Sequence, residues 1–258
     1  MLGWNSDKGF SAYFILYLAF LYVPLLVLLV FSFNDSIFMT LPLTGFTLKW
    51  YGAFFSNESA TSSVVNSFTV ALVSTGLATI SGLMAAFALV RHRFRGRSVF
   101  LRVAWLPLVI PYVVMGVSLL ILFHMLGVAL SLFTVTLGHT IAALPYTTLV
   151  LTARLIGFDT SLEEAAMDLG ADESRTFLKV TLPLIFPGIV SAAFLAFTVS
   201  FGDVTLAYFL IGYENTLPIY VFGSLRYPSL LPVLTVTSTL MICLSIALSL
   251  LIALVRGK

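Results

Sequence analysis

Charge is what this chain has least of. Asp, Glu, Lys and Arg make up 9% of its 258 residues, while 60% are hydrophobic; soluble domains carry about 25% charge. A water-soluble globule of this length needs a polar skin around its core, and 13 basic and 11 acidic residues cannot supply one. Cysteine is nearly absent too, and a single Cys243 excludes a disulfide framework. There is no low-complexity run or collagen-like repeat, so the disordered and fibrous classes are out. A net charge of +2 offers no basic footprint for nucleic acid. With a mean hydropathy of +1.08, the remaining class is an all-α, polytopic membrane protein.

A helix needs about 20 apolar residues to cross the hydrocarbon core. Six stretches qualify: 11–33, 64–90, 99–123, 132–153, 184–211 and 233–255. None shows the ten-residue alternation of a membrane barrel. The first exceeds the apolar region of a cleaved signal, and Phe31-Ser32-Phe33-Asn34 is a poor cleavage site, so it reads as a true span. Pro107, Pro111, Pro145 and Pro187 fall inside spans, where neighbouring helices can absorb the freed backbone groups. With the N-terminus inside, Lys8, Arg91, Arg93, Arg95, Arg97, Arg102, Arg154, Arg175, Lys179, Arg256 and Lys258 are cytoplasmic. Only Lys49 and Arg226 lie outside, which places both termini in the cytoplasm by the positive-inside rule. The second span repeats small residues at Ser74, Ala78, Gly82 and Ala86, a stripe for close helix approach within the chain.

The charges concentrate in the loop 154–183, which holds nine of them, six acidic between Asp159 and Glu173. Interfacial helices are usually basic, to meet anionic lipid, so this loop is expected to face a protein. Ser161-Leu162-Glu163-Glu164 fits a capping box with Ser161 as N-cap and Glu164 reaching back. Gly170 is expected to end that helix in the left-handed conformation. Asp172 is expected to cap a second short helix, 173–181, that stops before Pro183.

Glu164-Ala165-Ala166, Gly170 and Val180-Thr181-Leu182-Pro183, at this spacing, resemble the "EAA" signature of permease subunits of binding-protein-dependent ABC importers. Val180 stands where that family prefers Ile. Phe46-Thr47-Leu48-Lys49-Trp50-Tyr51, Arg93-Phe94-Arg95-Gly96 and Gly157-Phe158-Asp159 look most like the spermidine/putrescine-type permeases. The resemblance implies a first span and outer loop over 1–60, then a permease domain over 61–258 with a five-helix core. Its cytoplasmic loop 154–183 would hold the coupling helix that docks on an ATP-binding subunit. Glu164, Ala165, Ala166, Gly170, Leu182 and Pro183 would be the coupling residues. The resemblance also implies a second permease subunit forming a homologous heterodimer, two ATP-binding subunits, an extracytoplasmic substrate-binding protein and contact with membrane lipid. Residence would be in a bacterial cytoplasmic (inner) membrane. ATP and magnesium would bind on the partner subunits, since this chain lacks a phosphate loop.

Asp203 is the one acid inside an expected span and hence a functional candidate. It could line the pathway, attract a cation, steady a broken helix end beside Gly202, or pair with a neighbour. Tyr208 could stack on a ligand. The polyamine permeases show two adjacent acids where Gly202-Asp203 stands, and a glycine–acid pair is met in related permeases for iron or oxyanions. The expected cargo is thus a polyamine or similar small polar solute, with iron, phosphonate or another oxyanion as the alternative. His124 and His139 lack clustered ligands for a metal and are expected to pack or hydrogen-bond. Cys243 is expected to be a small buried residue. Trp4, Trp50, Tyr51, Tyr213, Tyr220 and Tyr227 are expected to form an interfacial belt. An ion-coupled secondary transporter would need more intramembrane charge and a repeat. An enzyme would need a convergent catalytic set, and neither pattern is present.

Overall fold

The computed structural model describes residues 8–256. Trp4 and Lys258, invoked above for the belt and the orientation, lie outside the described residues, as do the side chains of Lys8 and Arg256. The described residues contain helices and no strand, with one isolated antiparallel bridge between Asn34 and Phe46. Five helices are long and apolar enough to cross a membrane, or six spans if one bent pair counts as a span.

One compact unit comprises 1–61 with 221–254. Its α1 (Lys8–Phe31) is apolar all round and leaves its membrane window unburied, which suits a lipid-facing helix. The segment after α1 is pinned by polar contacts. Asn34 Oδ1 accepts from the Thr44 backbone at 3.0 Å, Trp50 Nε1 donates to the Asn34 carbonyl at 2.8 Å, and Lys49 pairs with Asp35. A short α2 (Lys49–Ser56) follows. This unit also contains most of α12 (Leu231–Arg256). Cys243 is exposed on α12 rather than buried, because one side of an apolar span can face lipid.

The second unit, 62–220 with 255–258, holds the candidate site. Its axis is α6 (Leu132–Ile156), the most buried of the candidate spans. The small-residue stripe of α3 (Glu58–Arg91) packs within the unit: Ser74, Ala78 and Ala86 are fully buried, and Thr147 of α6 donates to the Ala78 carbonyl at 2.8 Å. A Cβ at Gly82 would strike the Thr147 side chain, so glycine sets this approach.

Three expectations are corrected. The third span is not one helix over 99–123. It is α4 (Arg97–Val109) and α5 (Tyr112–Met125), bent by 109°. Pro111 has no N–H to continue the ladder and holds Ile110 extended at φ −75°, ψ 124°. Pro107 lies inside α4 without ending it. Secondly, no helix stops before Pro183. The short α7 (Ser161–Asp168) precedes α8 (Glu173–Thr176), and α8, a π turn (Phe177–Thr181) and α9 (Leu182–Phe201) form one 29-residue rod. Pro183 sits in the first turn of α9, just where π spacing gives way to α spacing, so its missing donor is accommodated. Thirdly, the fifth span ends at Phe201, and α10 (Thr205–Leu210) is a separate helix against α5 and α6. Tyr220, on α11 (Leu217–Ser224), is buried instead of joining an outer belt.

The Gly82 contact yields a stability prediction. Gly82→Ala should lower the unfolding midpoint of the detergent-purified protein, with overpacking costing about 1–3 kcal/mol. Gly76→Ala, on the same helix with open space around it, should not. Thermal melts of the two variants side by side provide the check.

Candidate functional site

The acidic loop forms a helix–turn–helix whose first helix is built differently from the expected capping box. The N-cap is Thr160, not Ser161, and no side chain caps it. Asp159, two residues ahead, takes the Ser161 backbone N–H on Oδ1 at 3.0 Å, as an Asx turn does. With its N–H taken by Asp159, Ser161 is the first helical residue instead of the N-cap. The Ser161 hydroxyl and N–H together hold the Asp159 carboxyl below the usual carboxylate range. Glu164, released from capping, is exposed on α7.

The end of α7 matches expectation. Gly170 is left-handed at φ 89°, its N–H reaches the Met167 carbonyl at 2.9 Å, and the Ala171 N–H reaches Ala166 at 3.1 Å. That is the Schellman closure. Asp172 then caps α8 by accepting the Arg175 N–H at 2.8 Å. Leu162, Ala165 and Leu169 share one face of α7 and are exposed, Leu169 at 90%. Ala166 is half-buried. Leu182 is half-buried and Pro183 exposed at the start of α9.

The residue that ties α7 to the bundle is Glu163, the neighbour of the expected Glu164. Its Oε2 lies 2.8 Å from Arg91 Nη2 at the end of α3, an ion pair without hydrogen-bond alignment, and its Oε1 accepts the Thr181 hydroxyl at 2.5 Å. The Arg91 guanidinium also lies over the Phe158 ring at 5.6 Å. Phe87, one turn back on α3, meets Phe177 of the π turn edge-on at 5.1 Å.

A second polar cluster lies among the spans, where every member must find a protein partner. The Asp203 side chain is 7% exposed, and its Oδ2 accepts the Leu206 and Ala207 N–H groups, both at 2.9 Å. Asp203, one residue ahead of the N-cap Val204, therefore takes over the capping of the first turn of α10. The same oxygen lies 3.2 Å from His139 Nε2 on α6, an approach without hydrogen-bond alignment. His139 Nδ1 meets the Ser200 hydroxyl at 2.8 Å, and Ser74 donates to Ser200 at 2.9 Å. The other end of α10 is held as well, since the Thr134 hydroxyl donates to the Leu210 carbonyl at 2.7 Å. Tyr208 lies on α10 itself, beyond Asp203, and faces outward at 56% exposure, edge-on to Phe209. Of the two expected pathway residues, Asp203 is thus buried just ahead of α10 and Tyr208 is exposed on it. Read one at a time, His139 and Asp203 gave no pair. The available signal was that both are titratable groups within apolar stretches, each needing a partner.

Residues 78–257 match the family described as "binding-protein-dependent transport system inner membrane component". The chain belongs to that family. It is 38% identical over 249 residues to the spermidine/putrescine transport system permease protein PotC of Haemophilus influenzae, covering 96% of each chain. It is 41% identical to the putrescine transport system permease protein PotI of Escherichia coli over 80% of this chain and 76% of that one. Its fold is similar to a chain of a bacterial ABC transporter that imports the acidic polysaccharide alginate, with a TM-score of 0.71 at 17% identity. That superposition covers 95% of this chain and 96% of the other.

The cap geometry separates two substitutions at one position. Asp203→Ala leaves two helix N–H groups without an acceptor in a buried place and should destabilise the protein by more than the ~1 kcal/mol of a solvent-exposed N-cap. Asp203→Asn keeps an acceptor oxygen and should lose less. Unfolding midpoints in one detergent should rank parent, Asn, then Ala.

Proposed function

We propose that this chain is the permease subunit of an ATP-driven importer for polyamines, providing half of the path through a bacterial inner membrane. The observation that carries the proposal is the end-to-end match, at 38% identity over 96% of both chains, to a spermidine/putrescine permease. The other half of the path comes from a homologous second permease. A periplasmic binding protein delivers the polyamine, in keeping with the family's binding-protein dependence. With no phosphate loop here, two separate subunits bind ATP and magnesium and hydrolyse the nucleotide. Both termini and the acidic loop are assigned to the side of those subunits, a reading supported by the eleven-to-two split of basic residues in the sequence.

The mechanism follows from the two-sided α7. Its outer face, Leu162, Ala165 and Leu169 with Glu164 beside them, is exposed and joins apolar contact area to negative charge. That combination suits a groove on an ATP-binding subunit with matching basic groups. Closing of the ATPase dimer favours one of two arrangements of the bundle, and the path opens alternately to each side. The Asp203 carboxylate is engaged by two backbone N–H groups and faces His139. Selection of the cation is therefore assigned to the binding protein rather than to this acid.

In proteoliposomes holding both permeases and both ATPase subunits, with the binding protein supplied, putrescine or spermidine uptake should require ATP and be blocked by vanadate. Gly170→Pro should abolish that uptake while the subunit still inserts, because proline holds φ near −65° and cannot take the 89° that ends α7. Polyamine uptake driven by an ion gradient without ATP would contradict the proposal.

A further inference from the structure

We propose that Glu163, braced by Arg91 and Thr181, is the strut that carries movement of α7 into the membrane helices. This rests on the coupling reading above and names the residues that would transmit the load.

One carboxylate joins three segments distant in sequence: α7 itself, the last residue of α3, and the π turn that leads into α9. The Glu163 and Arg91 side chains are 17% and 20% exposed, so water screens their pair only in part. Thr181 is 1% exposed. Like Thr147, Thr134 and Ser74, it uses its hydroxyl across to another segment, whereas several hydroxyls in these helices serve their own backbone. Thr140, Thr148, Ser191, Thr198 and Thr237 each donate to a carbonyl one turn back on their own helix. Thr181 donates across to Glu163 instead. The π turn it closes changes the register of the rod at that point, and such turns often occur at functional positions.

The strut is needed because α7 has little rigidity of its own. Eight residues make a marginal helix, and residue 157 before it and residue 170 after it are glycines, the latter left-handed. A push on the outer face of an unbraced α7 would be absorbed by tilting about those ends. With Glu163 held from two sides, the push passes along two routes, to α3 through Arg91 and to α9 through Thr181. Phe158 under Arg91 and the Phe87–Phe177 contact stiffen the same corner. The Glu164 side chain shows no hydrogen bond or ion pair among the described residues, while its backbone N–H donates to the Thr160 carbonyl. Adjacent acids therefore divide the work: Glu163 is a positioning residue facing the bundle, and Glu164 is free for the partner.

The test uses the complete reconstituted transporter and follows three readouts: co-purification of the ATPase subunits, ATP hydrolysis, and polyamine taken up per ATP. Glu163→Ala and Arg91→Ala should keep the ATPase subunits bound and hydrolysing, while uptake per ATP falls at least tenfold. The exchanged pair, Arg91→Glu with Glu163→Arg, should recover a substantial part of that ratio, which a merely structural role would not explain. Thr181→Val and Glu163→Gln are milder changes that should insert normally and lower the ratio about threefold. An unchanged ratio in these variants would overturn the strut. So would loss of the ATPase subunits from Glu163→Ala, since that would make Glu163 a docking residue. Failure of the underlying coupling reading looks different: Glu164→Lys combined with Leu169→Asp would then retain both ATPase binding and full uptake.

Discussion

In hydrocarbon a backbone N–H or carbonyl without a partner costs several kcal/mol, and this constraint decides where the chain breaks its helices. At Pro111 the ladder stops on a residue with no N–H to strand, and the chain turns by 109°. At Gly202 the next helix begins under the Asp203 carboxylate, which takes two of the N–H groups that would otherwise be orphaned. At Pro183 the helix does not break, because a π turn ahead of it changes the spacing. Each irregularity sits where a side chain or a change of register meets the backbone's demand, and each lies beside a part with a proposed task.

The same demand organises the scarce polar side chains. Ser74, His139, Ser200 and Asp203 come from α3, α6, α9 and the link just ahead of α10, and they meet in one buried cluster. The cluster fixes α10 against α6 and leaves Tyr208 facing outward. At the C-terminal end of α3, Arg91, Glu163 and Thr181 form the corresponding junction for the loop helix. The two junctions share α3 and the α9 rod, so the loop and the buried cluster are attached to the same pair of helices.

Much of this was legible in the sequence. Long apolar runs gave α1, α3, α6 and α12 nearly to their ends, and the four-residue stripe from Ser74 to Ala86 gave the close face of α3. Gly170 and Asp172 announced the turn between α7 and α8, because left-handed glycine and Asx capping are local chemistry. What failed was non-local. Nothing within 161–164 says that Asp159 will accept the Ser161 N–H and leave Thr160 as the N-cap, and nothing near Pro183 shows that the helix will widen ahead of it. Glu163 and Glu164 are the same residue type side by side, and only the position of Arg91, far away in sequence, tells which one turns inward. His139 and Asp203 each read as a lone titratable group, since their pairing depends on how α6 packs against α10.

The central claim is that the exposed face of α7 is where the ATP-binding subunit docks. Cross-linking from Ala165→Cys, in a Cys243→Ser background that removes the native thiol, tests it in the assembled, transporting complex. The predicted result is an adduct with the ATP-binding subunit from residue 165 and none from a control cysteine at Ser36 in the outer segment. An active complex that gives no adduct from residue 165, or gives one from residue 36, would contradict the account.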